Sequence, residues 1–343
     1  MIRLYRIPLM ALLIVMLLPA VFLYGETNVI SLIERIGGEL LWDPILERGI
    51  VNRGRTSVAF QVGIPYLLKD FDRIVDIDPP ERRPDGAVTV SSAAAEEFLA
   101  LFAVPQSEDG FRISTIIIDP GHGGKDPGTI GTHGSGGEKL VLQEKRLVLD
   151  VARMVHERLR RAYPDKNILL TRDEDRYLAL EERTEFANDI ELGEQEAMIF
   201  LSVHANASLN RRAAGFEVWY LPPDYRREII DPEELESEQQ TVAPIINSIL
   251  EEEFSIESIL LAREVLKGMD ATVGTVSENR GLKEESWFVV RNAKMPSVLV
   301  EIGFVTNLEE ARRLADEAYL QKISDGIYNG LAAYIANFEG GAD

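Results

Sequence analysis

From Ser114 onward the chain alternates short apolar runs with amphipathic segments, and this alternation restricts the folds open to it. The apolar runs predict strands at Thr115–Ile118, Asn167–Thr171, Met198–Val203, Gly215–Leu221 and Ser297–Gly303. The segments with helical periodicity predict helices at about Glu144–Ala162, Ala179–Asp189, Ser258–Met269 and Glu309–Phe338. Strands that alternate with helices indicate an α/β domain, here over residues 114–340, with a mixed, mostly parallel sheet and helices on both faces.

Two of the apolar runs deliver a histidine at the carboxyl end of a predicted strand. His122 follows the first run within Asp119-Pro-Gly-His-Gly-Gly, and His204 ends the run that begins at Phe200. Binding and catalytic groups of open α/β sheets gather beyond the carboxyl ends of the strands, so we expect the two imidazoles to meet there. The sequence has 4 histidines and no cysteine, so any metal must be held by nitrogen and oxygen. That donor set suits a catalytic zinc with an open position.

The other two histidines have ordinary structural interpretations. His133 lies in a loop rich in glycine and serine, and His156 lies in the middle of a predicted helix among charged residues. Neither position follows a strand. We therefore assign no metal-binding role to them.

Composition excludes several classes of partner and site. The formal net charge of −21 argues against nucleic acid and anionic membrane surfaces as direct partners. The absence of cysteine excludes disulfides, thiolate ligands and an N-terminal lipid-modified cysteine.

Residues 1–25 are expected to be a signal peptide or a retained N-terminal anchor. Arg3 and Arg6 precede a stretch from Pro8 to Tyr24 that is almost wholly apolar. Its core of about 16 residues is shorter than the roughly 20 that span a bilayer comfortably. Leu23-Tyr24-Gly25 is a poor cleavage site, so both alternatives stay open. Either one places the rest of the chain outside the cytoplasm, in the periplasm or cell envelope, with membrane contact only through residues 8–24.

Residues 28–104 are expected to form a separate small α/β domain. A helix is predicted at 30–36, strands at 39–43, 57–63 and 87–90, a charged loop at 78–86, and a second helix from Ser92 to about Phe102. The pattern faintly resembles the small α/β stalk domains that precede some secreted bacterial enzymes. It contains no histidine. We assign it a structural or binding role without chemistry.

Residues 222–257 interrupt the alternation. The segment carries 11 acidic residues against Arg226 and Arg227, and it is long for a connection between a strand and a helix. Val242, Ile245, Ile246, Ile249 and Leu250 follow a helical spacing, which predicts an amphipathic helix. Two interpretations stay open: an acidic surface insertion, or a regulatory element whose apolar stripe packs over the active site.

Seven motifs then appear in a fixed order along residues 115–340. They are Asp119-Pro-Gly-His-Gly-Gly-Lys-Asp-Pro-Gly, Glu144-Lys, Leu170-Thr-Arg-Asp-Glu-Asp-Arg-Tyr, Glu182-Arg-Thr with Ala187-Asn, Ser202-Val-His-Ala-Asn-Ala, Gly215-Phe-Glu-Val-Trp-Tyr, and Val300-Glu-Ile-Gly-Phe-Val-Thr-Asn. Together they resemble the zinc-dependent N-acetylmuramoyl-L-alanine amidases of the type-3 class. The resemblance implies cleavage of the amide between N-acetylmuramic acid and the L-alanine of the peptidoglycan stem peptide.

The resemblance also implies one zinc ion held by two histidines and a glutamate. Matched to this sequence, the ligands are His122, Glu144 and His204. Two neutral imidazoles and one carboxylate leave a positive zinc that polarises a carbonyl and activates water. The loop after His122 is longer than in many relatives, and Glu138 within it is a competing candidate for the carboxylate ligand.

The resemblance names Glu301 as the general base. It follows the apolar run from Ser297 and is expected at the same edge of the sheet as the ligands, where it would take a proton from water and return it to the leaving amine. The alternative is a structural glutamate paired with Arg291. Arg172 and Asn206 are expected to orient ligands or bind substrate, with a buried hydrogen bond behind the ligands as the alternative.

The sequence leaves open two alternatives to amidase activity, and one way in which an amidase of this kind is regulated. A metal-free module that binds peptidoglycan would lack a ligand or the base, and a zinc peptidase would cut within the stem peptide. Some type-3 amidases carry an inhibitory helix between these elements, released by an envelope protein with a degenerate peptidase domain. By that resemblance, carboxylates at Glu233–Glu238 or Glu251–Glu253 would occupy the open zinc position, and an activator protein is an expected partner.

Overall fold

The computed structural model describes residues 26–53, 56–69, 73–103, 111–134, 139–193, 195–225, 227, 229 and 243–340. The apolar leader at residues 1–25, the alternative ligand Glu138 and the carboxylates Glu233–Glu238 lie outside the described residues. Within the described part, no helix has the length and apolar character needed to cross a membrane.

The N-terminal region folds as helices packed on antiparallel strands. Its elements are β1 (Thr27–Asn28), α1 (Val29–Ile36), β2 (Glu39–Asp43), β3 (Arg48–Arg53), β4 (Thr56–Gln61), β5 (Tyr66–Lys69), β6 (Arg73–Asp76), β7 (Glu81–Arg82), β8 (Val88–Val90) and α2 (Ser92–Ala103). Strands β2 to β6 pair in sequence order as an antiparallel meander, while β8 lies between β1 and β7. Leu32, Val51, Phe60 and Phe98 lie in one buried cluster that joins both helices to the meander. The two predicted helices and the three predicted strands are present as α1, α2, β2, β4 and β8, whereas β1, β3, β5, β6 and β7 were not predicted.

The C-terminal region is built around one six-stranded sheet. Its elements are β9 (Arg112–Pro120), β10 (Ile130–His133), β11 (Leu140–Gln143), α3 (Glu144–Ala162), β12 (Asn167–Leu170), α4 (Leu180–Asn188), β13 (Glu196–Asn206), β14 (Phe216–Tyr220), α5 (Ala243–Val273), β15 (Asn279–Glu284), α6 (Phe288–Asn292), β16 (Ser297–Phe304), α7 (Leu308–Leu314) and α8 (Glu317–Gly340). The strand order is β12-β9-β13-β16-β14-β15. Every neighbouring pair is parallel except β14 and β16.

Helices cover both faces of this sheet, as the sequence predicts. Alternate residues of β9 explain how, because Ile116 and Ile118 face a cluster formed with α3, α5 and α8, whereas Ile117 faces a cluster formed with α4 and α6. All three isoleucines are fully buried. A strand that is buried on both faces has a continuous apolar sequence, as Ile116–Ile118 do. The prediction of a mixed, mostly parallel α/β sheet is confirmed.

The sheet also sets the geometry of the site. β13 and β16 run parallel with His204 opposite Glu301 in the register, and β14 runs antiparallel to β16 with Glu217 opposite the same Glu301. β9 lies on the other side of β13 and leads into the turn that carries His122. Three strands therefore converge on one edge of the sheet.

The helix predicted at Ser258–Met269 is much longer than expected. α5 begins at Ala243, so the second half of the predicted 222–257 insertion is the first half of this helix. Its buried residues Ile249 and Leu250 pack with Ala59 and Leu68 of the N-terminal meander. Ile249 and Leu250 therefore do not pack over the catalytic edge of the sheet. The prediction that the apolar stripe of residues 242–250 packs over the active site is wrong for these two residues. The side chains of Val242, Ile245 and Ile246 lie outside the described residues.

The carboxylates at the start of α5 have partners of their own. Glu251 is fully buried and forms an ion pair with Arg227, with a distance of 2.7 Å between Oε2 and Nε. Arg227 also donates to the carbonyl of Met295, two residues before β16 begins, which is the opposite end of that strand from Glu301. Glu252 pairs with Arg48 of the N-terminal region at 3.0 Å. The expectation that Glu251 or Glu252 fills the open zinc position is therefore wrong.

The long C-terminal helix predicted at 309–338 is two helices. Asn307 caps α7 by accepting hydrogen bonds from the backbone of Glu309 and Glu310. The Asp316 side chain accepts from the backbone of Ala318 at 3.0 Å and so caps α8. An aspartate at this position accepts a hydrogen bond from a free N–H at the start of a helix. Asp316 therefore begins a second helix, whereas the apolar spacing alone predicts one continuous helix.

Candidate metal centre and active site

His122 is held in a tight turn just after β9. Its φ angle is +59°, a left-handed conformation that side-chain-bearing residues rarely adopt, and Gly123 and Gly124 follow with positive φ angles. Nδ1 of the imidazole lies 2.8 Å from Oδ2 of Asp126. Because the Asp126 carboxylate accepts the proton of Nδ1, the unprotonated Nε2 points to the opposite side. Strain of this kind collects at functional sites.

Glu144 is the first residue of α3 and is buried. Its Oε2 accepts a hydrogen bond from the backbone of Thr129 at 2.8 Å, and its Oε1 accepts one from the backbone of Ala205 at 3.1 Å. A carboxylate in the first turn of a helix also faces the positive end of the helix dipole. The position of Glu144 is therefore determined by three separate elements: the loop before β10, the end of β13 and the start of α3.

His122, Glu144 and His204 converge at the carboxyl edge of the sheet. Nε2 of His122 lies 3.1 Å from Oε1 of Glu144, and Nδ1 of His204 lies 3.0 Å from the same oxygen. One ligand atom from each residue lies within 4.8 Å of the other two, and this is the only such group of three found within the described residues. Two imidazoles and one carboxylate form the donor set of a catalytic zinc site. The residues present therefore fit a zinc ion.

Glycines leave the room that this cluster requires. A Cβ added at Gly121 would lie 2.3 Å from Cε1 of His204, and one at Gly128 would lie 2.7 Å from Oε2 of Glu144. Both distances are far below van der Waals contact. Gly121 and Gly128 are thus needed for the close approach of the backbone to the ligands.

The electrostatics of the three residues are coupled. Burial by itself would raise the pKa of Glu144, but the hydrogen bonds and charges of His122 and His204 outweigh it and hold this pKa far below its usual range. Burial would lower the pKa of His122, but the interactions with Glu144 and Asp126 outweigh it and leave this pKa raised. Glu144 is therefore ionised near neutral pH, as a carboxylate metal ligand must be.

Glu301 lies beside this cluster as a carboxyl group without a hydrogen-bonding partner. Its Oε2 is buried and makes no hydrogen bond with the described residues. Burial raises the pKa of Glu301 well above its usual value, and the negative charges of Glu144 and Glu217 raise it further. The alternative pairing with Arg291 is absent from the ion pairs of the described residues, where the Arg291 guanidinium instead lies over the ring of Phe288.

Comparison with known proteins identifies the family of this chain. The sequence model of the family described as N-acetylmuramoyl-L-alanine amidase matches residues 116–333. The chain belongs to this family. Over 238 residues it is 31% identical to the uncharacterized protein YqiI of Bacillus subtilis, a match that covers 69% of this chain and 93% of YqiI. It is 30% identical over 238 residues to the N-acetylmuramoyl-L-alanine amidase AmiA of Salmonella typhimurium, which covers 65% of this chain and 77% of that enzyme. Among solved structures, the amidase AmiC2 of Nostoc punctiforme aligns with a TM-score of 0.49 and 28% identity, over 66% of this chain and 98% of the other.

Arg172 supports the ligand-bearing backbone of this amidase. The side chain is fully buried. It donates hydrogen bonds to the carbonyls of Pro120 at 2.9 Å and Gly121 at 2.7 Å, just before His122, and to the carbonyl of Lys145 at 2.9 Å, just after Glu144. A buried guanidinium whose donors end on backbone carbonyls is placed to orient the ligands rather than to contact a polymeric substrate.

Asn206 connects the end of β13 to the neighbour of Glu301. Its Nδ2 donates to Oε1 of Glu217 at 2.6 Å, and Nε of Arg280 donates to Oε2 of the same carboxylate at 2.7 Å. Glu217 is buried and stands opposite Glu301 across β14 and β16. Asn206 therefore belongs to a buried network that holds a second negative charge next to the candidate base.

Three supporting residues were not assigned roles from the sequence. Asp126 orients His122, Glu217 neighbours Glu301, and Arg183 pairs with the buried Asp119 at 2.7 Å and donates to the carbonyl of His122 at 2.6 Å. The role of Asp126 has a local sequence signal, because Asp126 lies four residues after His122 in a glycine-rich turn. The role of Arg183 depends on a contact 64 residues away along the chain, which no local pattern reveals.

The histidines given structural interpretations do not join the cluster. Nε2 of His133 lies 2.9 Å from the carbonyl of Val305, and Nε2 of His156 lies 3.2 Å from the carbonyl of Ile168. Both bonds connect neighbouring elements of the fold. The competing ligand Glu138 lies outside the described residues.

Proposed function

We propose that this protein hydrolyses the amide bond between N-acetylmuramic acid and the L-alanine of the peptidoglycan stem peptide. The observation that carries the proposal is the convergence of His122, Glu144 and His204 next to Glu301, whose Oε2 is buried without a hydrogen-bonding partner among the described residues, in a chain that belongs to the amidase family. The metal is zinc, one ion per catalytic domain, and the three converging residues hold it.

The protein supplies the position and the charge state of each ligand. When bound, zinc would polarise the scissile carbonyl and make water a stronger nucleophile. Asp126 holds the Nδ1 proton of His122, so that Nε2 is free to bind a metal. Two backbone N–H groups hold the carboxylate of Glu144, and its lowered pKa keeps it ionised.

Glu301 serves as the general base and then as the general acid. Its raised pKa gives the carboxylate enough proton affinity to take a proton from the attacking water. The water oxygen bonds to the carbonyl carbon, the carbon–nitrogen bond breaks, and the same proton passes from Glu301 to the leaving nitrogen of L-alanine. The free lactyl carboxylate of the sugar and a stem peptide with an amino terminus result. Glu301 ends the cycle as a carboxylate.

We place this activity in the periplasm or cell envelope and infer a role in wall remodelling or in the separation of daughter cells. The apolar leader at residues 1–25 supports export, by cleavage or as a retained anchor. The family supports peptidoglycan as the substrate. An activator protein stays a prediction from the resemblance, and the described part of α5 lends no support to a helix that plugs the cleft.

The identity of the products tests the proposal. Purified sacculi digested by the zinc-loaded protein should release intact stem peptides that begin with a free L-alanine, as read by mass spectrometry, and a chelator should abolish the release. Peptides cleaved within the stem would indicate a zinc peptidase. Binding to sacculi without release of any fragment would indicate a non-catalytic module, and either result would overturn the amidase assignment.

A further inference from the structure

A short loop follows the ligand strand at the catalytic edge of the sheet. Residues 207–214, here the arginine loop, begin directly after β13 and three residues after His204. The backbone of Ser208 donates to Oγ1 of Thr306 at 3.0 Å, and Nδ2 of Asn307 donates to the carbonyl of Ala213 at 3.2 Å. Hydrogen bonds thus connect both ends of the arginine loop to the segment that follows β16, the strand that carries Glu301.

Two adjacent arginines of this loop have no carboxylate partner among the described residues. Arg211 and Arg212 are exposed, and neither takes part in an ion pair within the described residues. Nη1 of Arg211 donates to the carbonyl of Thr306 at 3.2 Å, which fixes the direction of the side chain and leaves its other donors free. In a chain with a net charge of −21, two adjacent guanidinium groups that have no carboxylate partner among the described residues, in the loop that follows the strand of His204, are a local exception.

Three other arginines of the same domain form ion pairs with buried carboxylates. Arg183 pairs with Asp119, Arg227 pairs with Glu251, and Arg280 pairs with Glu217, in each case at 2.7 Å. Those three stabilise the fold. Within the part of the chain that the structure describes, Arg211 and Arg212 form no comparable ion pair, so their donors are available to a ligand.

Two exposed apolar side chains lie on the arginine loop and on the β10–β11 hairpin. Leu209, in the arginine loop, is 103% exposed, and Ile130 at the start of β10 is 48% exposed. The β10–β11 hairpin contacts the same segment after β16, because His133 of β10 bonds to the carbonyl of Val305, next to Thr306. An exposed leucine and an exposed isoleucine therefore stand on the two elements that meet at the end of the base-bearing strand.

We infer that the arginine loop binds the peptide part of the substrate and selects a stem that carries a free carboxylate close to the scissile amide. This inference rests on the proposed function. Guanidinium groups bind carboxylates through paired, charge-assisted hydrogen bonds, which suits recognition of an acidic peptide. Leu209 would contact an apolar side chain of the same peptide. Arg211 and Arg212 are thus specificity-determining residues that act on binding and not on the bond-breaking step.

Two synthetic muramyl peptides test this inference, alike except that the second stem residue carries either an α-carboxylate or an α-carboxamide. The full-length, zinc-loaded protein and the variants Arg211→Gln, Arg212→Gln and their double should be compared by steady-state kinetics on both. The double variant should lower kcat/KM for the carboxylate substrate by roughly tenfold or more, through KM, with kcat within about twofold and the carboxamide substrate unaffected. The double Arg→Lys variant keeps the charge without the paired geometry and should fall between the wild type and the double Gln variant.

Arg160→Gln is the matched control. It removes the same charge from an exposed position in the last turn of α3, on the order of 24 Å along the helix from Glu144. Unchanged kinetics in this variant, with equal zinc content and thermal stability in all of them, would assign the effect to the arginine loop.

Different failures distinguish the two proposals. If the wild type cleaves both substrates but the double variant behaves like the wild type on each, the inference about the loop is overturned and the amidase assignment stands. A parallel loss on both substrates, or a loss confined to kcat, also overturns it, because neither reports carboxylate recognition. A zinc-loaded wild type that cleaves neither substrate nor sacculi overturns the proposed function as well.

Discussion

Glu251→Ala tests whether the acidic start of α5 is structural or inhibitory. The Glu251 side chain is fully buried, and its two oxygens accept from Nε of Arg227 at 2.7 Å and from Nη2 at 3.0 Å. Removal of this carboxylate leaves the guanidinium of Arg227 buried beside α6, with backbone carbonyls and the ring of Phe254 as its remaining partners among the described residues.

The structure sets the size of the expected loss. Loss of one partner of a buried ion pair costs about 3–5 kcal/mol, because the remaining charge is uncompensated. In a cooperative unit of this size each kcal/mol lowers the melting temperature by about 2–4 °C, so a drop of about 6–20 °C is expected. Scanning calorimetry of the zinc-loaded protein measures it, and kcat/KM on sacculi, corrected for the folded fraction, should stay unchanged.

The neighbouring residue provides the control. Glu252 is 57% exposed in its ion pair with Arg48, whose own side chain is 8% exposed, so Glu252→Ala should cost less than Glu251→Ala, in which both partners are buried. If Glu251→Ala raised hydrolysis and left the melting temperature where it was, the carboxylate would be an inhibitory cap and the structural reasoning would be refuted.

Three further predictions concern the site. Asp126→Ala should weaken zinc affinity by roughly 10–100-fold in a competition titration with a chelator, since His122 loses the partner of Nδ1; an unchanged affinity would contradict this orienting role. Glu217→Gln removes a negative charge that raises the pKa of Glu301, and the base acts only when deprotonated, so the acid limb of the kcat/KM–pH profile should move to lower pH; a limb that stays in place or moves up would contradict it. Gly121→Ala should strongly reduce bound zinc measured by metal analysis, because the new Cβ would meet the His204 ring at 2.3 Å, and a normal zinc content would show that the backbone yields.

Much of the fold and part of the site could be predicted because their signals are local. Ile116–Ile118 and the run ending at Val203 are buried on both faces, so their continuous apolar sequence reports their place in the middle of the sheet. Parallel strands end at the same edge, so the polar residues that follow such runs are brought together by topology. This topology predicts that His122 and His204 lie close together, and the family motifs add Glu144 and Glu301 to the predicted site.

What could not be predicted depends on contacts between distant residues. Glu251 stands in a run of three glutamates that looks solvent-exposed, yet its partner Arg227 lies 24 residues earlier. Ile249 and Leu250 have the spacing of an amphipathic helix, which shows that they are buried but not against what, and the N-terminal meander is what they meet. Three strands of that meander, β3, β5 and β6, were not predicted for a different reason: their local sequence is not continuously apolar, and β3 mixes arginines with its apolar residues.

The ratio of bound zinc to protein, measured together with turnover on the same samples of Glu144→Gln and Glu301→Gln, separates ligand from base. Glu144→Gln should lose both zinc and hydrolysis, because it removes a charged ligand from a site of three. Glu301→Gln should keep a zinc content close to that of the wild type and lose roughly 10²-fold or more in rate, because only the proton acceptor is gone. A Glu301→Gln protein without zinc, or a Glu144→Gln protein with full zinc and full activity, would contradict the proposed site.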